Sequence, residues 1–353
     1  MEETSKHEEA IPNKKGKYIL YTYRWIIFIS MSFVCLFNGA TFTLFTTVAT
    51  KCSEVYSISL TMFSINNFLY LVMYPISSLL FADLINKKFG MRISIIFGLI
   101  FLLMCDWLRT QINSEFNQNF ILITCSGFFA GLAQPFIMNS YTEIAANWFS
   151  IGERVVVTSL FAIFGPIGGA IGLAFPMIIM GDVTFMSKED FKQKLEFSLY
   201  LFAILASVFF VINIIFMRTK PETPPTKSSE KSQKNDQNPE ESSIKKLFTN
   251  INFIVEAVIF TVFYGTICIT SMCIEMVLNQ FSILPNQSTI IGVAFTASGL
   301  LSAFVVSFVL AKTNYYKFFT IVISIVSFIG YSLILLCSYY LWINFAYLSS
   351  ILF

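Results

Sequence analysis

Residues 25–50 read WIIFISMSFVCLFNGATFTLFTTVAT and contain no charged side chain. The run begins after Arg24 and ends before Lys51, so it exceeds the roughly 20 apolar residues that cross the hydrocarbon layer as a helix. A backbone in lipid has to satisfy its own hydrogen bonds, which a helix does. The stretch therefore predicts a membrane-spanning helix.

Similar uncharged runs follow along the chain. They lie between Glu54 and Asp83, Glu115 and Glu143, Arg154 and Asp182, and Glu196 and Arg218. The chain is 56% hydrophobic and 12% charged, against about 25% charged residues in soluble proteins. We therefore expect an all-α polytopic membrane protein, with spans near residues 25–49, 60–82, 93–109, 118–143, 155–180, 197–217, 252–279, 289–311, 318–337 and 341–353.

Orientation follows from the positive charges in the loops, because cytosolic loops carry an excess of Lys and Arg. The N-terminus and every second loop hold 18 of the 23 Lys and Arg residues. This asymmetry predicts a cytosolic N-terminus, in a plasma or organelle membrane. The sequon at Asn286 falls in a loop on the opposite side, where a glycan is expected.

Residues 218–246 read RTKPETPPTKSSEKSQKNDQNPEESSIKK and are too polar to form a core. We expect a disordered cytosolic linker over 218–247. It separates a cytosolic tail (1–24) and a six-helix half (25–217) from a partial second half (248–353) of about four helices, the last incomplete. Six helices, a polar loop and a second set of helices is the plan of transporters built from two halves.

The sequence shows no pattern typical of enzymes or cofactor proteins. His7 is the only histidine and lies in the polar tail, and the seven cysteines form no CxxC pair. We therefore expect no catalytic site, no metal and no cofactor. No basic stretch indicates nucleic acid, so the expected partners are a small-molecule substrate and the lipid bilayer.

The loop after the second span joins acidic and basic residues around a glycine. Asp83, Lys87, Lys88, Gly90 and Arg92 resemble the loop signature of the major facilitator superfamily, although Lys87 stands where that signature has its acidic residue. Asp83, one turn earlier, is the candidate substitute. The glycine would allow a tight turn and the charges would tie helix ends together; an ordinary positively charged cytosolic loop is the alternative.

The fifth predicted span contains a run of small residues. Gly165, Pro166, Gly168 and Gly169 resemble the GPxxGG motif that some major-facilitator exchangers carry in this helix. Small residues allow two helices to approach closely and the proline allows a bend. We prefer this packing interpretation to a specific exchange mechanism.

Four further stretches resemble the feline leukaemia virus subgroup C receptor family, whose members have been described as haem, choline and ethanolamine transporters. They are NGATF (38–42), AQPFI (133–137) with IAANWF (144–149), YG (264–265) with LNQ (278–280), and IG (291–292). The similarity covers residues 24 to about 337. It implies the major-facilitator fold, with a complete six-helix N-terminal half and a truncated C-terminal half of a twelve-helix protein.

The family's choline site is a cage of aromatic rings with glutamines. By position, the resemblance implies that Phe42 replaces the family's first-helix tryptophan, Gln134 matches its glutamine and Met272 replaces its seventh-helix tyrosine. Asn38 shares a helix face with Phe42. A phenylalanine weakens the cation–π contact, whereas methionine removes a ring and keeps a polarizable sulfur. Asn38 and Gln134 could equally be interhelical hydrogen-bonding residues.

Glu275 is an additional carboxylate, one turn from Met272 in the seventh span. A charge at the centre of a membrane helix costs about 2.5–3.5 kcal/mol, so such residues usually face a cavity. We expect Glu275 to attract a cationic substrate, with solvation at the membrane boundary as the alternative.

These residues predict a uniporter or gradient-driven transporter of choline, ethanolamine or a related amine, working by alternating access. Transport of haem or another amphipathic anion is a second hypothesis, although the spans offer almost no Arg or Lys for its carboxylates. A non-transporting membrane receptor or scaffold is a third, because four helices of a second half cannot close a two-half cavity.

Overall fold

The computed structural model describes residues 18–112, 116–183, 185–230, 249–279, 283–313 and 316–339. These residues form helices joined by short connections. The helices are α1 (Arg24–Thr43), α2 (Ala49–Tyr56), α3 (Leu60–Ser77), α4 (Asp83–Phe89), α5 (Met91–Arg109), α6 (Phe116–Met138), α7 (Ser140–Trp148), α8 (Ile151–Met180), α9 (Lys188–Phe216), α10 (Ile251–Asn279), α11 (Pro285–Thr313) and α12 (Tyr316–Tyr339). We call α1–α9 the N-terminal bundle and α10–α12 the C-terminal helices.

Seven segments of the described chain are long and apolar enough to cross a membrane. They are Arg24–Tyr56, Ile65–Ala82, Met91–Arg109, Asn119–Trp148, Ile151–Met180, Lys188–Phe216 and Ile251–Ser271. They correspond in order to the first seven predicted spans, and α11 and α12 cover the eighth and ninth. The predicted span 341–353 lies outside the described residues.

The first span is longer than its uncharged stretch. It ends as α1 at Thr43, passes through a 3-10 turn (Thr46–Val48) and continues as α2 to Tyr56. Lys51 and Glu54 pair at 3.3 Å on the surface of α2, so their charges do not end the helix. Residues 44–58 pack with α8 and α9 in an apolar cluster, which closes this end of the bundle.

Two other spans that contain a proline are irregular a few residues after it. Pro75 lies within α3, which passes into a π-helical turn at Ser78–Ala82. A proline lacks the N–H that an α-helix needs, and π-turns often interrupt helices nearby. Pro135 lies in α6, and the helix is interrupted at Asn139 before α7 begins. The second and fourth predicted spans each contain such an irregularity and still form one continuous span each.

The closest packing in the bundle joins α1 and α8. A Cβ atom at Gly168 would lie 2.8 Å from the Leu36 Cα, and one at Gly39 would lie 2.9 Å from the Gly165 carbonyl carbon. Only glycine permits this approach. A Cβ at Gly165 itself would meet nothing within 4 Å, and Pro166 is exposed. Two of the three glycines of the small-residue motif therefore contribute differently. Gly168 is needed because a side chain there would overlap α1, whereas Gly165 contributes the backbone against which Gly39 packs.

Gly169 also belongs to this contact. Its carbonyl oxygen accepts a hydrogen bond of 2.7 Å from Thr43 Oγ1, and the Leu173 carbonyl accepts one of 3.1 Å from Thr47 Oγ1. Hydroxyl groups of the first span thus bind the backbone of α8 beside the glycines, which is a common way to join helices in lipid.

Charged side chains join helix ends at the side of the bundle where Arg24 lies, which we call the Arg24 end. Arg24 donates two hydrogen bonds to Glu153, at 2.9 and 3.0 Å, and links the beginnings of α1 and α8. Arg92 donates to the Ile214 carbonyl at 2.9 Å, in the last turn of α9, where a cation is favourable.

The predicted loop motif lies at the same end. Gly90 separates α4 from α5 with φ +83° and ψ 165°, a conformation essentially restricted to glycine. The Lys88 ammonium lies 5.2 Å from the centre of its neighbour Phe89. The side chains of Asp83 and Lys87 lie outside the described residues, so the proposed substitution by Asp83 stays a prediction.

The first part of the predicted linker contacts the Arg24 end. Arg154 donates to hydroxyl groups of Thr226, Ser228 and Ser229 at 2.7–3.3 Å, and Ser229 donates to the Ala146 carbonyl at 2.9 Å. Residues 218–230 are described, and the rest of the linker up to residue 248 lies outside the described residues.

The C-terminal helices meet the bundle at the opposite end, which we call the Tyr56 end. Helix α10 contacts α1, the 3-10 turn and α2, and α11 contacts α8. Gly292 of α11 faces Leu173 of α8. Asn286 lies in the first turn of α11 and is half-buried, and its glycosylation stays a prediction.

Candidate substrate-binding site

Helices α1 and α3 bring aromatic and amide groups together inside the bundle. The rings of Phe42 and Tyr70 lie 4.4 Å apart at an angle of 40°. The Tyr70 hydroxyl donates a hydrogen bond of 3.5 Å to Asn38 Oδ1, one turn before Phe42. Asn38 and Tyr70 are buried, and Phe42 is half-buried. The predicted face of Asn38 and Phe42 thus holds a ring pair with an adjacent amide.

Helix α10 contacts α1, the helix that carries Asn38 and Phe42. Tyr264 and Cys268, one turn apart, are within electrostatic range of Tyr70. The Tyr264 ring stacks on Phe260 with centres 5.4 Å apart. The predicted residues Met272 and Glu275 lie further along α10, and their side chains lie outside the described residues. Their roles stay predictions.

Gln134 has no described contact with the ring pair, although a residue one turn away in the same helix packs against that pair. It is buried in α6, one turn from Ala130, and Ala130 packs with Tyr70 and Phe42 in one buried cluster. A separate cavity of about 490 Å³ lies towards the Arg24 end and is lined by residues of the π-helical turn after α3 and of α4 to α7, including Asn86 and Glu143. Asn38, Phe42 and Gln134 are not among its lining residues.

A polar network lies on the Tyr56 side of the ring pair. Thr41 donates to Asp106 Oδ1 at 3.2 Å, and Arg109 donates to the Thr41 carbonyl at 2.7 Å. Arg109 also donates to Ser126 at 3.4 Å and lies 5.0 Å from the centre of the Phe45 ring. Asp106 and Arg109 are each only 2% exposed. Two charged residues are therefore enclosed in a membrane-spanning bundle.

Three residues of this region are absent from the predicted site: Tyr70, Asp106 and Arg109. The two charges were visible at the end of the third predicted span. The cost of charge in a membrane, which drew attention to Glu275, applies to Asp106 as well. Tyr70 follows Asn66 at a four-residue spacing, so polar groups on one face of the second span were the available signal.

The helical spans and the two-part arrangement define a multi-pass transporter fold. The family model described as Major Facilitator Superfamily matches residues 27–353. The chain belongs to that superfamily, and the expected fold class is confirmed.

Curated relatives point to one branch of the superfamily. The chain is 24% identical over 312 residues to the choline/ethanolamine transporter FLVCR2 of Rattus norvegicus, covering 87% of this chain and 56% of the relative. It is 23% identical over 317 residues to an uncharacterized MFS-type transporter of Caenorhabditis elegans, covering 88% of this chain and 53% of the relative. The resemblance to the subgroup C receptor family is confirmed, and the chain spans about half the length of these two relatives.

Solved structures agree on the fold. A partially occluded, inward-open form of the xylose transporter XylE from E. coli matches with a TM-score of 0.66 at 14% identity, covering 94% of this chain and 83% of that chain. The E. coli fucose:proton symporter FucP matches with a TM-score of 0.62 at 13% identity, covering 94% of this chain and 82% of that chain.

Proposed function

We propose that this chain belongs to a transporter of a small organic cation such as choline or ethanolamine. The observation that carries the proposal is the ring pair of Phe42 and Tyr70, with its adjacent Asn38 amide. Ring faces attract a cationic nitrogen with about 0.5–2 kcal/mol. The amide offers a polar contact for the hydroxyl group that choline and ethanolamine share.

The position of this group suits alternating access. In transporters built from two halves, the substrate site lies between them, and one half rocks against the other. Phe42 and Tyr70 belong to the N-terminal bundle, whereas Tyr264 belongs to the C-terminal helices. A cation held between these rings would contact both parts. Tyr264 would then supply the third ring that Met272 lacks.

The experiment is uptake of labelled choline by cells that express the full-length protein, with uptake normalised to the amount at the cell surface. Saturable uptake is expected. Phe42→Ala should raise the half-saturation concentration about 2- to 30-fold, the equivalent of one lost cation–π contact. Phe68→Ala is the matched control, because Phe68 on α3 is 66% exposed.

The outcomes separate the three functional hypotheses. No saturable choline or ethanolamine uptake at normal surface amounts would contradict the proposal. Uptake of haem that choline does not reduce would favour an anion transporter. Absence of uptake for all three compounds would favour a receptor or scaffold.

A further inference from the structure

Asp106 is a buried carboxylate with incomplete hydrogen bonding. Its Oδ1 atom accepts one hydrogen bond, from Thr41, and its Oδ2 atom has no partner among the described residues. A buried carboxylate normally accepts several hydrogen bonds or pairs with a cation, because charge away from water is costly. Carboxylates inside membrane proteins often bind and release protons, and one with an unbonded oxygen can accept a proton there.

Arg109 does not relieve this cost by direct pairing. Its described hydrogen bonds go to the Thr41 carbonyl and to Ser126, and the Phe45 ring covers it. Thr41 stands between the two charges, with its hydroxyl on Asp106 and its carbonyl on Arg109. Arg109 therefore favours the ionised carboxylate from a distance and leaves one carboxylate oxygen available for a proton.

The network is continuous with the ring pair. Thr41 directly precedes Phe42 in α1. Cys105 directly precedes Asp106 in α5, and Cys105 packs with Phe42 and Tyr70 in the same buried cluster. A cation between these rings would lie close to the carboxylate in surroundings of low polarity, where charges interact strongly.

Few other groups around Asp106 can change charge. On α5 itself the neighbouring groups are Arg109 and Cys105. The helices packed around it contribute Thr41 on α1, Tyr70 on α3 and Ser126 on α6. Helix α9 contacts Trp107 of α5 through Tyr200 and Ser207. Arginine side chains are not deprotonated in proteins, and tyrosine and cysteine side chains ordinarily titrate at alkaline pH. Among the described neighbours, Asp106 is thus the group whose charge can change at and below neutral pH.

We propose that Asp106 is a proton-exchange site whose ionised form attracts the cationic substrate, so that a proton and the substrate compete. This inference rests on the proposed function for the identity of the substrate. Protonation removes the negative charge, so affinity for a cation falls as the pH is lowered. By linkage, binding of the cation releases the proton from Asp106 to the same extent. Proton release on substrate binding would make the protein an exchanger of protons for organic cations.

The test measures equilibrium binding of labelled choline to the purified full-length protein across pH. Choline is a permanent cation, so its own charge does not change. For the wild type, the dissociation constant should rise about 5-fold or more from about pH 8 to about pH 5. Asp106→Asn should bind weakly and without this pH dependence, and Asp106→Glu should restore it. Asp190→Asn is the matched control, because Asp190 is exposed at the start of α9.

A second measurement needs no substrate. Infrared difference spectra of the purified protein should show the carbonyl stretch of a protonated carboxylic acid that titrates with pH and is absent from Asp106→Asn. Thr41→Val should move that titration to higher pH, because the ionised form loses its one hydrogen-bond donor.

The results distinguish the inference from the proposed function. Choline binding with the same pH dependence in wild type and Asp106→Asn would overturn the inference and leave the proposed function in place. A titrating carbonyl band without choline binding would support proton exchange and contradict the proposed substrate. Absence of the band from the wild type would overturn the inference whatever the substrate.

Discussion

The N-terminal bundle and the C-terminal helices differ in how much of their surface the described chain covers. In the most apolar stretch of Arg24–Tyr56, 56% of the residues are buried, compared with 6% in Ile251–Ser271. Phe318 and Phe328 of α12 are 62% and 74% exposed. The bundle encloses polar groups of its own, among them Asp106 and Arg109, whereas the C-terminal helices present apolar side chains outwards to lipid or to other helices.

The difference indicates which part of the candidate site is already arranged before substrate binds. Asn38, Phe42 and Tyr70 are held by contacts within the bundle, so their arrangement does not depend on how the C-terminal helices sit. Tyr264 contributes only through its approach to the bundle. Alternating access requires such a division, because a rigid unit that carries part of the site has to move against the other part.

The largest effect is expected from closing the space between α1 and α8. Gly168→Ala would place a methyl group 2.8 Å from the Leu36 Cα, and we expect a loss of about 3 kcal/mol or more because neither backbone can move away. Thermal unfolding of the detergent-solubilised protein measures it. Gly299→Ala on α11 is the control from the other region, since its Cβ would meet nothing within 4 Å.

This pair of substitutions tests the comparison directly. Equal sensitivity of Gly168 and Gly299 would show that the C-terminal helices are packed as tightly as the bundle. Gly165→Ala gives a second control inside the motif itself, because its Cβ would also meet nothing within 4 Å. A strong loss there would contradict the assignment of the contact to the Gly168 position.

A smaller effect is expected at Gly90, where backbone conformation and not space is limiting. A residue with a side chain that adopts its φ of +83° and ψ of 165° lowers the stability of the fold by about 1–3 kcal/mol. Gly90→Ala should lower the unfolding temperature accordingly. Gly265→Ala in α10 should leave it unchanged or raise it, because alanine is the better helix former and nothing lies near its Cβ. A fall of equal size for both would contradict the conformational explanation.

The sequence predicted the spans because the absence of charge is a local property. It did not predict where the first span ends or where the sixth span begins. Charged residues of α2, and those from Lys188 to Glu196 in α9, remain helical because they reach the surface, and Ser187 caps α9 by accepting a hydrogen bond from the Asp190 N–H. Charged residues in the sequence therefore indicate where a span leaves the membrane. The end of the helix is set instead by its capping residues.

The candidate site divides in the same way. The common face of Asn38 and Phe42 follows from four-residue spacing along one helix. Tyr70 could not be assigned as their partner, because the face of α3 that meets α1 is decided by tertiary packing. Asp106 lies near the end of its span, where solvation is the ordinary outcome. It is buried because α5 packs against α6, α9 and α1, and Thr41 of α1 donates a hydrogen bond to its carboxylate, which no local pattern shows.

The smallest effect is expected at the contact between Arg24 and Glu153. Two short hydrogen bonds make a strong geometry, but the side chains are 14% and 35% exposed, and water screens such pairs. A double-mutant cycle with Arg24→Gln and Glu153→Gln should give a coupling of about 1 kcal/mol or less. Lys317→Gln on α12, which removes an exposed charge from the other region, should have no effect on unfolding.

Glu153 has a second role that the cycle can separate from the first. It accepts hydrogen bonds from the Ser150 N–H at 3.1 Å and the Ser150 hydroxyl at 2.7 Å, as part of the capping box that begins α8. Glutamine keeps that cap, whereas alanine removes it, at a further cost of about 1 kcal/mol. Glu153→Ala should therefore destabilise the protein more than Glu153→Gln even when Arg24 is already replaced. If the two were equal in the Arg24→Gln background, the cap would contribute nothing, and the ion pair alone would join α1 to α8 at this end of the bundle.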